Sequence, residues 1–255
     1  MGLLPGSLKE SAIEMGSYSN AAAYYDLLYS VFKDYESETT RLREIIAEAC
    51  PGTARVLDVG CGTGRHAQLL RAHGFSVDGL DFEPEFVRIA QARNPAGRFR
   101  VGDMRSFSVS EPYDVVVSLF GSIGYALDET GLRATVGCLA AAARAGGVVI
   151  VEPWLEPADV TDGYVTMQSA RGPDGLAVCR MSRTLVRAGV SRLEFEYLIG
   201  RAEGIEHVSE THDLGLFTKD VMIGAMEGAG LRVAHDREGL MGRGLYVGTK
   251  VDTTP

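Results

Sequence analysis

Between Arg55 and Glu152 short β-branched runs alternate with longer amphipathic ones, and this alternation limits the fold more than any other feature of the chain. "RVLDV", "FSVDGLD", "RFRVGD", "YDVVVSLF" and "GGVVIVEP" read as strands, and "RHAQLLRAHG", "EPEFVRIAQARN" and "ETGLRATVGCLAAAARAG" as the helices between them. Such alternation calls for an α/β fold, a mainly parallel sheet with helices on both faces and ligands at the carboxyl ends of its strands. Two more helices are predicted upstream, in "NAAAYYDLLYSVF" and "ESETTRLREIIAEAC". Downstream the period changes to two in "DGYVTMQSA", "AVCRMSRTLV", "SRLEFEYLIG" and "IEHVSETHDLGLF", with turn signals at Gly172-Pro173-Asp174-Gly175 and Ala188-Gly189. That pattern reads as an antiparallel meander inserted into the α/β domain. The helix "TKDVMIGAMEGAG" and the strands "LRVAHD" and "RGLYVGTK" then complete the core. The expected division is a helical flap over 1–52, a core over 53–156, the β insertion over 157–216 and the core's completion over 217–255.

With 45% apolar residues in 255, the chain can bury a large core without a disulfide or metal staple, and no metal site is expected. A net charge of -9 and a pI near 5.1 argue against a general nucleic-acid or membrane-surface binder, which needs a basic face. Cys50, Cys61, Cys138 and Cys179 are scattered without a CxxC pair, as expected of reduced thiols in a cytoplasmic protein. The opening residues show no signal peptide, lacking a basic segment followed by an apolar run. The most membrane-like stretch, "ATVGCLAAAARAGGVVIV", is broken by Arg144 and by Gly146-Gly147, so it reads as helix, turn and strand.

The first strand runs into Gly60, Gly62 and Gly64 in "VLDVGCGTGRH". A dinucleotide site uses G-x-G-x-x-G, whereas here the spacing is G-x-G-x-G, with Asp58 two positions before the first glycine. A carboxylate there is poorly placed beside a pyrophosphate and suits a positively charged ligand. A P-loop is excluded because no Gly-Lys-Ser/Thr follows. S-adenosylmethionine (SAM) carries adenosine at one end and a sulfonium and an ammonium at the other. Asp81 ends the second strand, where a carboxylate can accept both ribose hydroxyls. In "GDM", Asp103 can accept the adenine amine and Met104 can cover the ring, while Phe120, ending the fourth strand, can stand beside the sulfonium. Tyr25, Phe82 and Leu119 are further cofactor candidates. A nicotinamide oxidoreductase on a similar core stays open at this point.

The constellation resembles the class I SAM-dependent methyltransferases, whose seven-stranded sheet has an antiparallel last strand. That resemblance implies that Asp58, Gly60, Gly62 and Gly64 line the methionine end of SAM, Asp81 the ribose, and Asp103 with Met104 the adenine. "YYDLLY…KDYESE", "DVGCGTG", "GDMRSFSV", "VVSLFGSIGY", "VVIVEPW", "THDLGLFT" and "GRGLYVG" together are similar to a narrower group. These are the N,N-dimethyltransferases of TDP-linked 3-amino sugars in the desosamine and mycaminose branches of macrolide biosynthesis. The implied reaction methylates the amine of a nucleotide-sugar in natural-product biosynthesis and leaves S-adenosylhomocysteine. The chain departs from the group at Gly121, where serine is common, at Leu155, where a second tryptophan is common, and in "LMGRG", which replaces Pro-Ser-Gly-Arg-Gly. N- or O-methylation of another small metabolite is the alternative.

For the substrate, Arg243 offers a fork of donors suited to a pyrophosphate, flanked by glycines that admit a close approach. Trp154, the only tryptophan, could wall the thymine or sugar, and His212 could contact the diphosphate or the sugar. Ser122 is a further substrate candidate; Tyr125 is the first choice for orienting the amine, and Tyr18 for closing the flap over it. A monomer or homodimer is expected.

Overall fold

The computed structural model describes residues 22–251. Helices α1 (Ala22–Tyr29) and α2 (Tyr35–Ala49) precede the sheet, and the Asp34 carboxylate caps α2 by accepting the Ser37 N–H at 3.0 Å. The α/β core follows as β1 (Arg55–Val59), α3 (Arg65–Ala72), β2 (Ser76–Asp81), α4 (Pro84–Arg93), β3 (Phe99–Val101) and β4 (Tyr113–Ser118). It continues through α5 (Glu129–Ala142) and β5 (Ala143–Val151). Strands β6 (Val165–Arg171), β7 (Ala177–Arg187), β8 (Val190–Arg201) and β9 (Gly204–Gly215) form the meander. Helix α6 (Lys219–Gly228), β10 (Leu231–Asp236) and β11 (Leu245–Lys250) end the chain.

The main sheet has seven strands in the order β10-β11-β5-β4-β1-β2-β3, parallel except where β11 runs antiparallel to β5 and β10. The mainly parallel sheet is what the alternation in the sequence called for, and seven strands with an antiparallel last one is what the resemblance to class I methyltransferases implied. Because both faces are covered, the central strands are apolar throughout and their alternate residues serve opposite layers. Leu57, Val59, Val116, Val149 and Val151 pack with α5 and α6, while Val56, Val115, Val117, Val148 and Ile150 pack with α2, α3 and α4. The order reverses between β1 and β4, so the crevice for a ligand opens at their carboxyl ends.

The meander pairs as the separate antiparallel sheet β6-β7-β8-β9. One boundary differs from expectation. The helical reading of "ETGLRATVGCLAAAARAG" ends early, at Ala142, because Ala143 already pairs with Tyr113 and Arg144 donates to the Asp114 carboxylate at 2.7 Å. All four cysteines are unbridged, and among the described residues no helix is long and apolar enough to cross a membrane.

Candidate active site

A cavity of about 340 Å³ opens at the carboxyl ends of the parallel strands, and its wall comes from three parts of the chain. The first is the turn after β1, where Gly60, Gly62 and Gly64 all have positive φ, at 78°, 51° and 72°. A Cβ on Gly60 would lie 2.6 Å from the Ser122 Cβ, and one on Gly64 would lie 2.9 Å from the Ala90 Cβ. Both are therefore required by packing, whereas Gly62 has open space and faces the cavity. Asp81 accepts the Gly62 N–H at 2.7 Å and the Glu83 N–H at 3.0 Å, and burial pushes its carboxyl up to about 6. Asp58, 2% exposed within β1, is also pushed up to about 6 by burial, with His66 pulling the other way. Past β3, Asp103 lies in a fork with Arg105, whose Nη2 donates at 2.7 Å and whose hydrogen bonds hold the carboxyl below its usual range.

The second part surrounds Phe120, which follows β4 with a left-handed φ of 55°. Its N–H donates at 2.6 Å to Glu152, a fully buried carboxylate following β5 whose pKa burial raises. The Lys33 ammonium lies 3.8 Å from the centroid of the Phe120 ring and pairs at 2.5 Å with Glu38, which also meets His66 Nε2 at 2.9 Å. The Arg243 guanidinium lies 5.0 Å from the Phe120 ring centroid and 4.9 Å from that of Trp154. Arg243 Nη1, Trp154 Nε1 and Glu152 Oε1 are buried without hydrogen-bond partners among the described residues. Buried polar atoms in that state cost about 1–3 kcal/mol each, so a concentration of them marks a place where something else completes the bonding.

The inner face of the meander is the third part. Its register sets Gln168, Arg180 and Tyr197 in one cross-strand row and Thr166, Ser182, Phe195 and Glu210 in the next. Tyr125, in a 3₁₀ turn over Ser122–Ala126, reaches towards this face, its hydroxyl 3.1 Å from Nδ1 of the fully buried His212. His212 Nε2 in turn lies 3.6 Å from a Glu210 carboxylate oxygen. Helix α1 ties the parts together. Asp26 accepts the Thr63 hydroxyl of the glycine turn at 2.6 Å, and the Tyr29 hydroxyl accepts from Arg180 Nη1 at 3.2 Å.

Residues 56–147 match the family model described as a methyltransferase domain. A dTDP-3-amino-3,6-dideoxy-alpha-D-glucopyranose N,N-dimethyltransferase of Streptomyces fradiae is 36% identical over 89% of this chain and 89% of its own length. The chain belongs to the sugar N,N-dimethyltransferases. Among solved structures, Streptomyces venezuelae DesVI is 33% identical, with a TM-score of 0.85 over 90% of this chain and 98% of its own. SAM-bound CalS10, an amino pentose methyltransferase from Micromonospora echinaspora involved in calicheamicin biosynthesis, is 34% identical with a TM-score of 0.81, over 90% and 97%. Membership in this dimethyltransferase family removes the nicotinamide oxidoreductase that the glycine spacing alone had left open.

Of the residues singled out in the sequence, Tyr25, Gly60, Gly62, Asp81, Phe82, Asp103, Met104, Phe120, Ser122, Tyr125, Trp154 and Arg243 all line the cavity. Asp58, Gly64, Leu119 and His212 do not. Asp58 lies in the sheet behind the turn, Gly64 packs on α4, Leu119 belongs to the core and His212 stands behind Tyr125. Tyr18 lies outside the described residues. Sequence reasoning passed over Glu152, Lys33 and Arg180. A charged residue closing an all-apolar strand was the available signal for Glu152, whereas Arg180 looked like any other polar position of an alternating strand.

Proposed function

We propose that this dimethyltransferase-family protein transfers methyl groups from SAM to the amine of a TDP-linked amino sugar. The observation that carries the reading is one cavity joining two opposite electrostatic ends. Carboxylates stand at the ends of the strands on one side, and an arginine with buried, unpartnered donor capacity lies over Phe120 and Trp154 on the other. The first end offers Asp81 to the ribose hydroxyls and Asp103 to the adenine amine, as the resemblance implied, and the second suits a diphosphate.

The donor set fits SAM. Gly62 leaves room at the turn, Asp81 is desolvated and ionisable beside it, and Met104, Phe82, Tyr25 and Phe86 supply an apolar wall for adenosine. The residues that would hold it are Gly60, Gly62, Asp81, Asp103 and Met104, with Phe120 near the reacting end. When bound, SAM supplies an electrophilic methyl carbon on a sulfonium leaving group. The protein's work is positioning and exclusion of water, since a neutral amine is already a sufficient nucleophile. Arg243 and Trp154 hold the nucleotide end, Tyr125 orients the amine with His212 fixing its hydroxyl, and α1 covers the reacting centre. The amine's proton leaves to solvent or to a neighbouring acceptor.

The test is mass spectrometry of a TDP-3-amino sugar incubated with the protein and SAM. A gain of one or two methyl masses with matching S-adenosylhomocysteine supports the reading and counts the transfers. No gain, with SAM still bound, would keep the cofactor and discard the amino-sugar acceptor.

A further inference from the structure

Arg180 is a cation in the wrong kind of place for a structural arginine. It projects from β7 into the inner face of the meander, is 4% exposed and lines the cavity. Of the three arginines that line the cavity, Arg105 is neutralised by Asp103. Arg180 is held instead by neutral groups. Its Nε donates to Gln168 Oε1 at 3.1 Å, its Nη2 donates to the same oxygen, and its Nη1 donates to the Tyr29 hydroxyl at 3.2 Å. Its guanidinium also lies 4.4 Å from the Phe195 ring centroid and 5.1 Å from that of Tyr29. Among the described residues no carboxylate reaches it within ion-pairing distance. These contacts fix the direction of the fork and leave it, among the described residues, without an ion partner. A buried charge in that condition is costly unless an opposite charge arrives.

A second, independent observation says where that charge would come from. Tyr29, which holds Arg180, packs edge-on against Phe120 at 5.3 Å between centroids, and Phe120 also carries the Arg243 guanidinium at 5.0 Å. Among the described residues, neither the fully buried Nη1 of Arg243 nor the indole Nε1 of Trp154 beside it has a hydrogen-bond partner. Two arginines with no ion-paired carboxylate among the described residues, one from β7 of the insertion and one preceding β11 of the core, thus converge on a single Tyr29–Phe120 pair at the cavity wall. Lys33 is on the same ring but is already paired with Glu38.

We infer that Arg180 and Arg243 together grip the diphosphate of the nucleotide-sugar, so that the β insertion takes part directly in anion recognition. The inference rests on the nucleotide-sugar reading above and adds a second diphosphate-binding arginine to it. A guanidinium held by neutral acceptors is preorganised for this task, because its fork needs no rearrangement when oxyanions enter. The chemistry asked for is a doubly anionic, bridged pair of phosphoryl groups rather than a single carboxylate, since two separate forks are presented.

Calorimetric titration of thymidine diphosphate, and of thymidine as the uncharged control, into wild type, Arg180→Gln and Arg243→Gln tests the idea. Arg180→Gln is expected to weaken thymidine diphosphate about tenfold or more, as the loss of a charge-assisted hydrogen bond does. Thymidine and SAM affinities should stay within about twofold of wild type if only the anionic contact is lost. Unchanged thymidine diphosphate binding by Arg180→Gln overturns the inference and turns Arg180 towards another group on the sugar. If Arg180→Gln does not fold, as judged by lost SAM binding, Arg180→Lys takes its place, keeping the charge and losing the fork. Several-fold weaker diphosphate binding by that variant supports the inference, and wild-type binding overturns it. Wild type that binds no thymidine diphosphate at all would instead sink the nucleotide-sugar reading itself.

Discussion

The two ends of the cavity are built in opposite ways. At the glycine turn the carboxylates are engaged by backbone and by local partners: Asp81 holds the N–H groups of Gly62 and Glu83, and Asp103 holds Arg105 two residues away. At the other end the charged groups come from far apart in the chain. Arg180 is secured by Tyr29 over 151 residues of sequence, and Arg243 rests on Phe120 and Trp154. The first end is a local motif that brings its own hydrogen bonds. The second end is an assembly in which, among the described residues, neither arginine has an ion-paired carboxylate and some buried donors have no partner. On the proposed reading, the cofactor end is a local motif, whereas acceptor recognition depends on which distant strands meet.

The sharpest way to break this contrast is at Asp81. Asp81→Ala removes the acceptor of two backbone N–H groups and should weaken SAM binding by about 100-fold, the upper range for charged hydrogen bonds. The KM for the acceptor should move much less; comparable losses in both would mean the two ends are not separable. Arg243→Ala should do the reverse. It should raise the acceptor KM roughly 10- to 100-fold with SAM affinity nearly intact, and equal loss of both in steady-state kinetics and titration would remove Arg243 from its role.

The pH dependence sharpens the same contrast. Burial lifts the Asp58 and Asp81 carboxyls to about 6, so these groups favour the fold below about 4, and that contribution is lost as the pH rises through about 6. Of the two only Asp81 lines the cavity, and it must be ionised to accept both ribose hydroxyls, so SAM affinity should run the other way. It should fall by about tenfold between pH 7.5 and 5, one proton's linkage per pH unit below a pKa near 6. Binding of the TDP-sugar, whose diester phosphates do not titrate in this range, should change far less if its partners are the proposed arginines. A flat SAM profile across that range would contradict a desolvated carboxylate at the cofactor.

Smaller effects are expected where packing rather than charge is touched. Gly121 has a φ of +76°, and a Cβ there would lie 2.8 Å from Trp154 Cε3. Gly121→Ala should therefore displace the indole and raise the acceptor KM several-fold, a cost of about 1 kcal/mol or more from strain and overpacking. Crystals or tryptophan fluorescence would report the displaced ring, and an unmoved Trp154 would contradict it. Tyr125→Phe should lower kcat by less than about tenfold, as befits loss of one orienting hydrogen bond. A loss beyond about 10³-fold would give the hydroxyl a part in proton transfer that orientation does not require.

Much of the fold and of the glycine-turn end of the cavity was legible beforehand because it is written in short-range rules. Alternating strands and helices, the positive-φ glycines and acids closing successive strands each depend on neighbours within a few residues. The same rules reached the meander, whose period of two and glycine turns match β6 to β9. They could not separate residues that line the cavity from those that stand behind it. Asp58 and Asp81 were both expected at the cofactor, yet Asp58 lies inside the sheet and Asp81 at the cavity wall. Leu119 and Phe120 are adjacent, but a left-handed turn at Phe120 sends one to the core and the other to the site.

The sequence by itself determined the α/β class, the inserted antiparallel sheet and the glycine turn with its acids, because periodicity and backbone freedom are properties of contiguous residues. Only the tertiary structure decided that Glu152 anchors Phe120, that Lys33 and Arg243 share the Phe120 ring, and that Arg180 faces the cavity through Tyr29 and Gln168. The physical reason is burial. Whether a charged side chain is a solvated ornament or an unneutralised fork depends on what distant elements lay over it, and that is settled when α1 and the meander close on the ends of the parallel strands.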